Sequence, residues 1–490
     1  MCGGELSGCG GMSRLPDTPR YAAEAMGRMH RLHFVGIGGT GMNGIAQVML
    51  NLGYEISGSD IRANAATERL AEQGARIFIG HAAEQVAGVD AVVISSAVTE
   101  NNSEVVAARA QRVPVVPRAE MLAEIMRFRY GIAVAGTHGK TTTTSLIASL
   151  LVDGGMDPTY VIGGRLNAVG SHAHLGKGEF LVAEADESDA SFLYLQPMLA
   201  VVTNVDEDHM STYGGDFDCL RATFLEFLHH LPFYGVAVIC IDDANAHGLL
   251  PDVTRRVITY GFDVGADVRG SELHQQGGNT RFTVHLPGGE CFAVQLAMPG
   301  RHNALNALAA IAVGHELGLV PESMQRTLAQ FQGIGRRFQL RTCQLADGGE
   351  VLLVDVYGHH PRELEVTLAA VRAGWPERRL VLAFQPHRYS RTRDAFDDFV
   401  RVLSGPDVLI LSEVYAAGEM PIAGADGRAL SRAIRARGQV DPIFIEDIGE
   451  LPQVLSGVVR EGDIVFTMGA GSIGQVAVQL AMQLEEESCR

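Results

Sequence analysis

The chain has 490 residues, of which 47% are hydrophobic and 20% charged, a composition typical of a globular protein. This length predicts about three domains. The net charge of −18 gives no basic footprint for non-specific nucleic-acid binding, so we expect no nucleic-acid partner. No apolar run approaches the roughly 20 residues that cross a bilayer, so we also expect no membrane association.

The seven cysteines are scattered, and none of them forms a Cys-x-x-Cys pair. This usage argues against a disulfide framework or a zinc site and predicts a cytoplasmic protein. Residues 1–29 are rich in glycine and lack the apolar stretch of a secretory signal. We expect a flexible tail there, or a protein that begins at Met26 or Met29.

Apolar, β-branched segments alternate with glycine turns and helical stretches along the chain; they begin at residues 32, 91, 131, 199, 236, 351, 379, 408 and 463. Such alternation predicts an α/β fold with parallel sheets covered by helices on both faces. Residues 280–300 differ, because they alternate with period two around a Pro-Gly-Gly turn, which predicts a hairpin.

Two boundaries divide the chain. One lies near residue 129, before the segment that leads into a second glycine loop, and the other near residue 334, after a helical stretch at 303–318. The predicted units are the tail 1–29 and three domains at 30–129, 130–334 and 335–490.

The first glycine loop follows the segment LHFV and precedes a helical stretch. Its sequence, Gly36-Ile37-Gly38-Gly39-Thr40-Gly41, fits G-x-G-x-x-G, in which glycines let the backbone approach a pyrophosphate at a helix N-terminus. Asp60 lies 19 residues after Gly41, where an acid can bond a ribose hydroxyl. A dinucleotide and a sugar nucleotide both fit this pattern, and a glycine-rich turn that binds no ligand is the alternative.

The second glycine loop is Gly136-Thr137-His138-Gly139-Lys140-Thr141-Thr142, again between a strand and a helix. Its backbone N–H groups and Lys140 suit phosphate, and the Thr141 hydroxyl suits Mg²⁺. Val134 stands where the usual P-loop spacing has its first glycine. Two phosphate loops in one chain indicate that one holds ATP and the other holds a substrate.

Acidic and histidine clusters follow the next strands. Glu184 opens the sequence EADESD, whose carboxylates at a strand end suit Mg²⁺, although a solvated acidic turn is the alternative. His209 closes the sequence NVDEDH and is either a ligand of a second metal ion or an exposed loop residue.

Further polar residues follow strands of the third domain, namely His359, His360, His387, Arg388 and Arg391. The arginines suit a carboxylate or phosphate, and surface cations are the alternative. The sequence RHNALN, with Asn306, opens a helix and either binds a nucleobase or caps that helix.

These stretches together resemble the Mur ligase family. The resemblance runs from about residue 30 to about residue 480 and rests on HFVGIGGTGMNGIA, SGSD, RAEMLAEIMRFR, GTHGKTTTT, EADESDASFL, TNVDEDHM, GRHNALNALAA, GRRF, YGHHP, FQPHRYSRTRD and GAGSIG. It implies three domains: a Rossmann-like N-terminal domain for a UDP-sugar, a central P-loop ATPase domain with a parallel sheet, and a Rossmann-like C-terminal domain that binds an amino acid.

The resemblance also implies roles for individual residues. Lys140 and Thr141 would hold the ATP phosphates and one Mg²⁺ with Glu184, and His209 would bind a second Mg²⁺. Asn306 would bond the adenine, and Arg337 would reach the ATP phosphates. The amino-acid pocket would consist of Tyr357, His359, Arg388 and Arg391, and the UDP pyrophosphate would face Gly36, Gly38, Gly39 and Gly41, with Asp60 beside them.

The sequence departs from the family pattern at one position. The family usually has two acids before YGHHP, and the second bonds the ATP ribose; here the pair is Asp355-Val356. Val356 cannot accept that bond, so nucleotide affinity is reduced unless Asp355 or water substitutes.

The implied activity is ATP-dependent ligation of L-alanine to the lactoyl carboxylate of UDP-N-acetylmuramate through an acyl phosphate, in peptidoglycan precursor synthesis. The chain would act in the cytoplasm as a monomer or homodimer. Three alternatives remain open: a ligase of the same family that adds a murein tripeptide, a nicotinamide-dependent oxidoreductase that uses the first loop, and a non-catalytic nucleotide-binding regulator.

Overall fold

The computed structural model describes residues 26–476 apart from 96, 128, 167–170, 332, 334–337 and 345–348. Within these residues the chain forms three α/β units, each built on its own sheet. Arg337 and most of the predicted tail lie outside the described residues. None of the described helices combines the length and apolar character needed to cross a bilayer.

The first unit contains a five-stranded parallel sheet in the order β3-β2-β1-β4-β5. Its strands are β1 (Arg31–Val35), β2 (Glu55–Asp60), β3 (Arg76–Ile79), β4 (Ala91–Ile94) and β5 (Val115–Pro117), and its helices are α1 (Thr40–Asn51), α2 (Ala65–Glu72), α3 (Ser103–Ala110) and α4 (Arg118–Met126). The strand order reverses between β1 and β4, which opens a crevice at the carboxyl ends where ligands bind in such sheets.

The central unit contains a ten-stranded mixed sheet in the order β15-β14-β13-β12-β11-β10-β6-β9-β7-β8. Its strands are β6 (Tyr130–Ala135), β7 (Thr159–Leu166), β8 (Ser171–His174), β9 (Phe180–Glu184), β10 (Leu199–Val202), β11 (Val236–Cys240), β12 (Arg256–Gly261), β13 (Val268–Gln276), β14 (Asn279–His285) and β15 (Cys291–Leu296). Its helices are α5 (Lys140–Asp153), α6 (Phe217–His229), α7 (Ala244–His247), α8 (Arg301–Glu316) and α9 (Pro321–Gln330).

The middle of this sheet is parallel, as predicted, and its two edges are antiparallel. The predicted hairpin is confirmed, because β14 and β15 pair antiparallel with Thr280 opposite Leu296. The second antiparallel edge, β7 with β8, was not predicted from the sequence.

The third unit contains a six-stranded sheet in the order β16-β17-β21-β18-β19-β20, in which only β16 is antiparallel. Its strands are β16 (Gln339–Gln344), β17 (Glu350–Val356), β18 (Leu380–Phe384), β19 (Val408–Ser412), β20 (Ile443–Ile445) and β21 (Ile464–Met468). Its helices are α10 (Pro361–Gly374), α11 (Tyr389–Asp394), α12 (Phe396–Leu403), α13 (Gly427–Arg437) and α14 (Leu451–Val458).

The first two units share one apolar core, and the third unit has separate cores. Ile45 and Met49 of α1 belong to the same continuous buried cluster as Val161 and Ala173 of the central sheet. The third unit has cores of its own on the two faces of its sheet. Burial of shared apolar surface therefore joins the first two units, whereas none of the buried clusters among the described residues is shared between the third unit and the other two.

A buried polar network lies beneath the first glycine loop. The fully buried Glu104 carboxylate accepts from the Ser59 hydroxyl at 2.6 Å and contacts ring nitrogens of His33 at 3.0 Å and His81 at 2.8 Å. Burial alone would raise the pKa of Glu104, but hydrogen bonds from His33, Ser59 and His81 outweigh it and lower that pKa. The carbonyl of Ser59 in turn accepts from the backbone N–H groups of Gly36 and Ile37.

We predict that Glu104→Gln lowers the free energy of unfolding by about 3 kcal/mol, because it leaves buried donors unmatched. Because the folded-state pKa lies below the unfolded value, this contribution is present above pH about 4.3 and is lost as the pH falls through the folded-state pKa. The measurement is urea unfolding of both proteins at neutral and at acidic pH. Glu84→Gln, at an exposed position, is the control; equal midpoints for Glu104→Gln and wild type would contradict the prediction.

Candidate active site

The second glycine loop joins β6 to α5 in a conformation that only glycine adopts easily. Gly136 has φ +132°, and a Cβ added there would lie 2.0 Å from the Thr203 hydroxyl oxygen. Two backbone N–H groups bind the neighbouring strand end: that of His138 donates to Asn204 Oδ1 at 2.8 Å, and that of Thr137 donates to the Asn204 carbonyl at 3.2 Å. The loop is thus held open at the N-terminus of α5, as a phosphate cradle requires.

Lys140 lies inside this loop and pairs with an acid that the sequence did not single out. Its ammonium group donates to both carboxylate oxygens of Glu187, at 2.6 and 2.8 Å, and to the Gly136 carbonyl at 2.7 Å. Burial alone would lower the pKa of Lys140, but Glu187, Asp186 and Glu184 outweigh it and raise that pKa. Burial raises the pKa of Glu187 to about 7 despite its cationic partner. Lys140 therefore stays charged, close to three carboxyl groups.

Arg118, at the start of α4, lies between the first glycine loop and the acidic cluster of the central domain. Its guanidinium donates to Asp186 at 3.1 Å, and a Cβ added to Gly41 of the first loop would lie 2.5 Å from Arg118 Nη1. The acidic cluster of the central domain therefore faces the first loop across this one side chain. The sequence RAEMLAEIMRFR carries Arg118, but nothing in it indicates a partner 68 residues away.

The first glycine loop is closed over the end of β2. The N–H of Gly38 donates to Asp60 Oδ2 at 2.9 Å, and Gly36 has φ +78°. A Cβ on Gly38 would lie 2.8 Å from the same carboxylate oxygen. Asp60 thus lies directly against the loop, and its proposed bond to a ribose hydroxyl stays a prediction.

His209 and the predicted amino-acid pocket meet at Asp208. This carboxylate contacts His209 Nε2 at 3.5 Å and accepts from Arg391 of the third unit at 3.5 Å. Burial chiefly lowers the pKa of His209, with further lowering by Arg391 and Lys140. Burial alone would raise the pKa of Asp208, but Arg391, His209 and His360 outweigh it and lower that pKa. Residues of the second and third units therefore share one electrostatic environment.

Four aromatic rings in successive contact line the side of the site that the third unit contributes. His387 stacks between His359, at 5.6 Å, and Tyr415, at 5.5 Å, and Tyr357 lies edge-on to His359 at 5.8 Å. Burial lowers the pKa of His359 to about 3 and that of His387 to about 4, so both rings are neutral at physiological pH. The Nδ1 atoms of His359 and His387 and the Nε atom of Arg391 are buried without a partner among the described residues. Buried polar atoms without a protein partner are typical of a site that binds a polar ligand.

Arg388 precedes α11 with φ +69°, and its backbone N–H donates to the Tyr415 carbonyl at 2.9 Å. From the sequence, His387 was named only among the polar residues that follow strands of the third domain, and Tyr415 was missed. Their positions after β18 and β19 are the available signal, since carboxyl ends of parallel strands share one edge of the sheet.

A cavity of about 1080 Å³ separates the central and third units and opens onto the second loop. It is large enough for a nucleotide. Its walls include Gly139, Thr142, Tyr260, Phe262, Asn306 and Val356. Asn306 accepts from the Thr143 hydroxyl at 3.2 Å and lies against Gly139, so it borders both loop and cavity. Val356 contributes an apolar wall, while Asp355 accepts from the Thr467 hydroxyl at 3.0 Å.

Three family models match successive parts of the chain: "Mur ligase family, catalytic domain" at residues 31–130, "Mur ligase middle domain" at 134–314 and "Mur ligase, glutamate ligase domain" at 336–471. The chain is a Mur ligase. This membership agrees with the three-domain α/β architecture, and a nicotinamide-dependent oxidoreductase would leave the P-loop without a role.

Two relatives of this Mur ligase are UDP-N-acetylmuramate–L-alanine ligases. That of Halorhodospira halophila is 61% identical over 467 residues, covering 94% of this chain and 96% of the relative. That of Methylococcus capsulatus is 60% identical over 471 residues, covering 96% and 99%. The crystal structure of the UDP-N-acetylmuramate–alanine ligase of Thermotoga maritima matches with a TM-score of 0.79 at 27% identity, over 93% of this chain and 99% of that one.

We predict that Gly136→Ala abolishes adenine-nucleotide binding by this Mur ligase, because the added methyl group collides with Thr203 and the backbone must leave its positive φ. Isothermal titration with an ATP analogue measures the effect. Gly457→Ala is the control, since its added Cβ meets no atom within 4 Å. An unchanged dissociation constant for Gly136→Ala would show that the loop does not cradle the nucleotide.

Proposed function

We propose that this Mur ligase joins L-alanine to the lactoyl carboxylate of UDP-N-acetylmuramate and converts ATP to ADP and phosphate. The observation that carries this proposal is the Arg118 bridge, because it places the acidic cluster around Lys140 against the first glycine loop. The 61% identity to an alanine ligase over nearly the whole chain supports the choice of substrates.

ATP would occupy the cavity between the central and C-terminal domains. Its phosphates would lie on residues 136–142, and the adenine would lie toward Asn306 between the rings of Tyr260 and Phe262 and the apolar wall at Val356. Arg337, for which the family resemblance implies a contact with the phosphates, lies outside the described residues.

Lys140 would exchange partners when ATP binds. In the structure its charge is neutralised by Glu187, and a phosphate oxygen offers the same ammonium group a stronger anionic partner. The raised pKa of Glu187 lets this carboxyl group take up a proton as Lys140 leaves it. The lysine would then stabilise charge on the transferring phosphoryl group.

The Thr141 hydroxyl and the Glu184 carboxylate are the donors proposed for one magnesium ion, and the His209 imidazole is the donor proposed for a second. The acidic surroundings of Lys140 fit a hard divalent cation, since Glu184 and Asp186 lie close enough to raise the pKa of that lysine. Magnesium, when bound, would supply charge neutralisation on the phosphates.

The reaction would take two steps. The lactoyl carboxylate attacks the γ-phosphorus of ATP and the bond to the bridging oxygen breaks. ADP is the leaving group, and the product is an acyl phosphate. The deprotonated amine of alanine then attacks the acyl carbon, and the tetrahedral intermediate loses phosphate to give the amide. The proton of the alanine ammonium group would pass to a base near His209, because an imidazole that binds magnesium cannot also accept a proton.

The alanine pocket would consist of Tyr357, His359, Arg388 and Arg391. Arg391 would bind the carboxylate of alanine, in accord with its unpaired Nε, and the neutral ring of His359 would close the pocket. We also propose that the enzyme acts in the cytoplasm as a monomer or homodimer.

The chain contains only two lysines, which gives a matched pair for testing the role of Lys140. We predict that Lys140→Ala lowers phosphate release at least about a hundredfold, because one preorganised cation is lost from the transition state. Binding of UDP-N-acetylmuramate, measured by calorimetry, stays within about twofold. Lys177→Ala, at an exposed position, is the control. Wild-type phosphate release from Lys140→Ala, with all substrates present, would refute the assignment.

A substrate panel separates the alanine ligase from the tripeptide ligase of the same family. We expect phosphate release with ATP, UDP-N-acetylmuramate and alanine, and none when any one is omitted. Serine, glycine and the murein tripeptide are the competing acceptors. Preference for the tripeptide would favour the alternative ligase, and absence of turnover with every acceptor would favour a nucleotide-binding regulator.

Val356 gives a further prediction, on nucleotide affinity. Val356→Asp should lower the KM for ATP about tenfold, since a carboxylate at the cavity wall gains a hydrogen bond to the ribose. Val356→Asn tests whether charge is required, and initial-rate kinetics measure both variants. A KM for Val356→Asp equal to or above that of wild type would contradict the proposed ribose position.

A further inference from the structure

Two histidines and an aspartate meet where the C-terminal domain approaches the P-loop. They are His138 of the loop, Asp206 after β10 and His360 before α10, and their potential ligand atoms all lie within 4.8 Å of one another. We propose that these three residues form a binding site for a transition-metal ion such as Zn²⁺, which would bridge the central and C-terminal domains. This site goes beyond the proposed ligase activity and shares no donor with the proposed magnesium site.

The central domain already holds two of the ligands in place. His138 Nε2 and Asp206 Oδ2 are 3.2 Å apart. Two ligands of a tetrahedral zinc ion with bonds of about 2.1 Å are separated by about 3.4 Å, so this pair needs little adjustment. The backbone N–H of His138 donates to Asn204 Oδ1 at 2.8 Å, and that of Asp206 donates to Thr137 Oγ1 at 2.9 Å. Both ligands therefore sit on backbone that is fixed by the loop itself.

The third ligand comes from the other domain. The His360 ring lies 5.1 Å from the His138 ring, centroid to centroid, at an interplanar angle of 35°. His360 Nδ1 accepts from the Arg362 N–H at 3.3 Å, a long bond that metal binding would replace. The helix start keeps a second support, because Glu363 Oε2 accepts from the His360 N–H at 3.1 Å. A small movement of His360 would therefore complete the site without unwinding α10.

The ligand chemistry selects the ion. Two imidazoles and one carboxylate suit Zn²⁺, Co²⁺ or Ni²⁺, whereas Mg²⁺ prefers oxygen ligands. The sequence predicted no zinc site because the cysteines are scattered. The site proposed here needs no cysteine, since its ligands are histidine and aspartate. His138 and Asp206 also line the nucleotide cavity, which leaves room for water as a fourth ligand. A bound ion would tie the phosphate loop to the C-terminal domain and hold the cavity closed.

Equilibrium dialysis of the full-length protein against Zn²⁺, in excess Mg²⁺ and without nucleotide, tests this site. We expect wild type to bind one more ion than His360→Asn or Asp206→Asn, or to bind it at least about tenfold more tightly. His274→Asn, which removes an exposed histidine elsewhere, should behave as wild type. Zinc bound by cysteine thiols contributes equally to every measurement, because every variant keeps all the cysteines. Asparagine is a favourable N-cap, so His360→Asn preserves the start of α10.

Titration with Co²⁺ gives an independent spectroscopic readout. Visible absorption bands of nitrogen-ligated, four-coordinate Co²⁺ should appear on titration and should be lost in both cluster variants. Equal Zn²⁺ stoichiometry and affinity in wild type, His360→Asn and Asp206→Asn would overturn the proposal, as would a wild-type Co²⁺ spectrum without these bands. Because no substrate is present, failure here leaves the ligase assignment untouched, and failure of the ligase assay leaves the metal site standing.

Discussion

The ion pair between Arg118 and Asp186 is the contact on which the active site depends. Arg118 belongs to the N-terminal domain and touches Gly41, while Asp186 belongs to the acidic cluster around Lys140. A single guanidinium thus lies between the loop suited to a sugar diphosphate and the acidic cluster beside the loop suited to a triphosphate. Transfer of a phosphoryl group requires the reacting atoms to approach closely, and the Arg118 side chain lies between the groups that would hold them.

The contacts between the domains allow the C-terminal domain more movement than the other two. The N-terminal and central domains share a continuous apolar core, which keeps the two loops in fixed relation. The C-terminal domain packs its own core and meets the others at the nucleotide cavity through groups such as Arg391 with Asp208 and Gln275 with the Ala370 carbonyl. We infer that this domain moves on substrate binding, excluding water from the acyl phosphate.

Much of the fold could be predicted from the sequence, because buried parallel strands are continuous apolar segments and glycine loops mark the turns that follow them. Antiparallel β16 could not, because its strand is largely exposed and has no apolar pattern. Among the site residues, Lys140, Glu184 and His209 are each predicted separately, from the motif in which they lie. The partnership of Lys140 with Glu187, the bridge made by Arg118 and the stacking of His387 on Tyr415 depend on tertiary packing, which no local pattern encodes.

A crystal structure with UDP-N-acetylmuramate and a non-hydrolysable ATP analogue bound together would show whether the two glycine loops bring the substrates into reactive contact. The expected result is a lactoyl carboxylate within about 3.5 Å of the γ-phosphorus, with Lys140 moved from Glu187 to the phosphate and Arg118 between the two ligands. Ligands bound on remote surfaces, or a single pocket that both compete for, would contradict it.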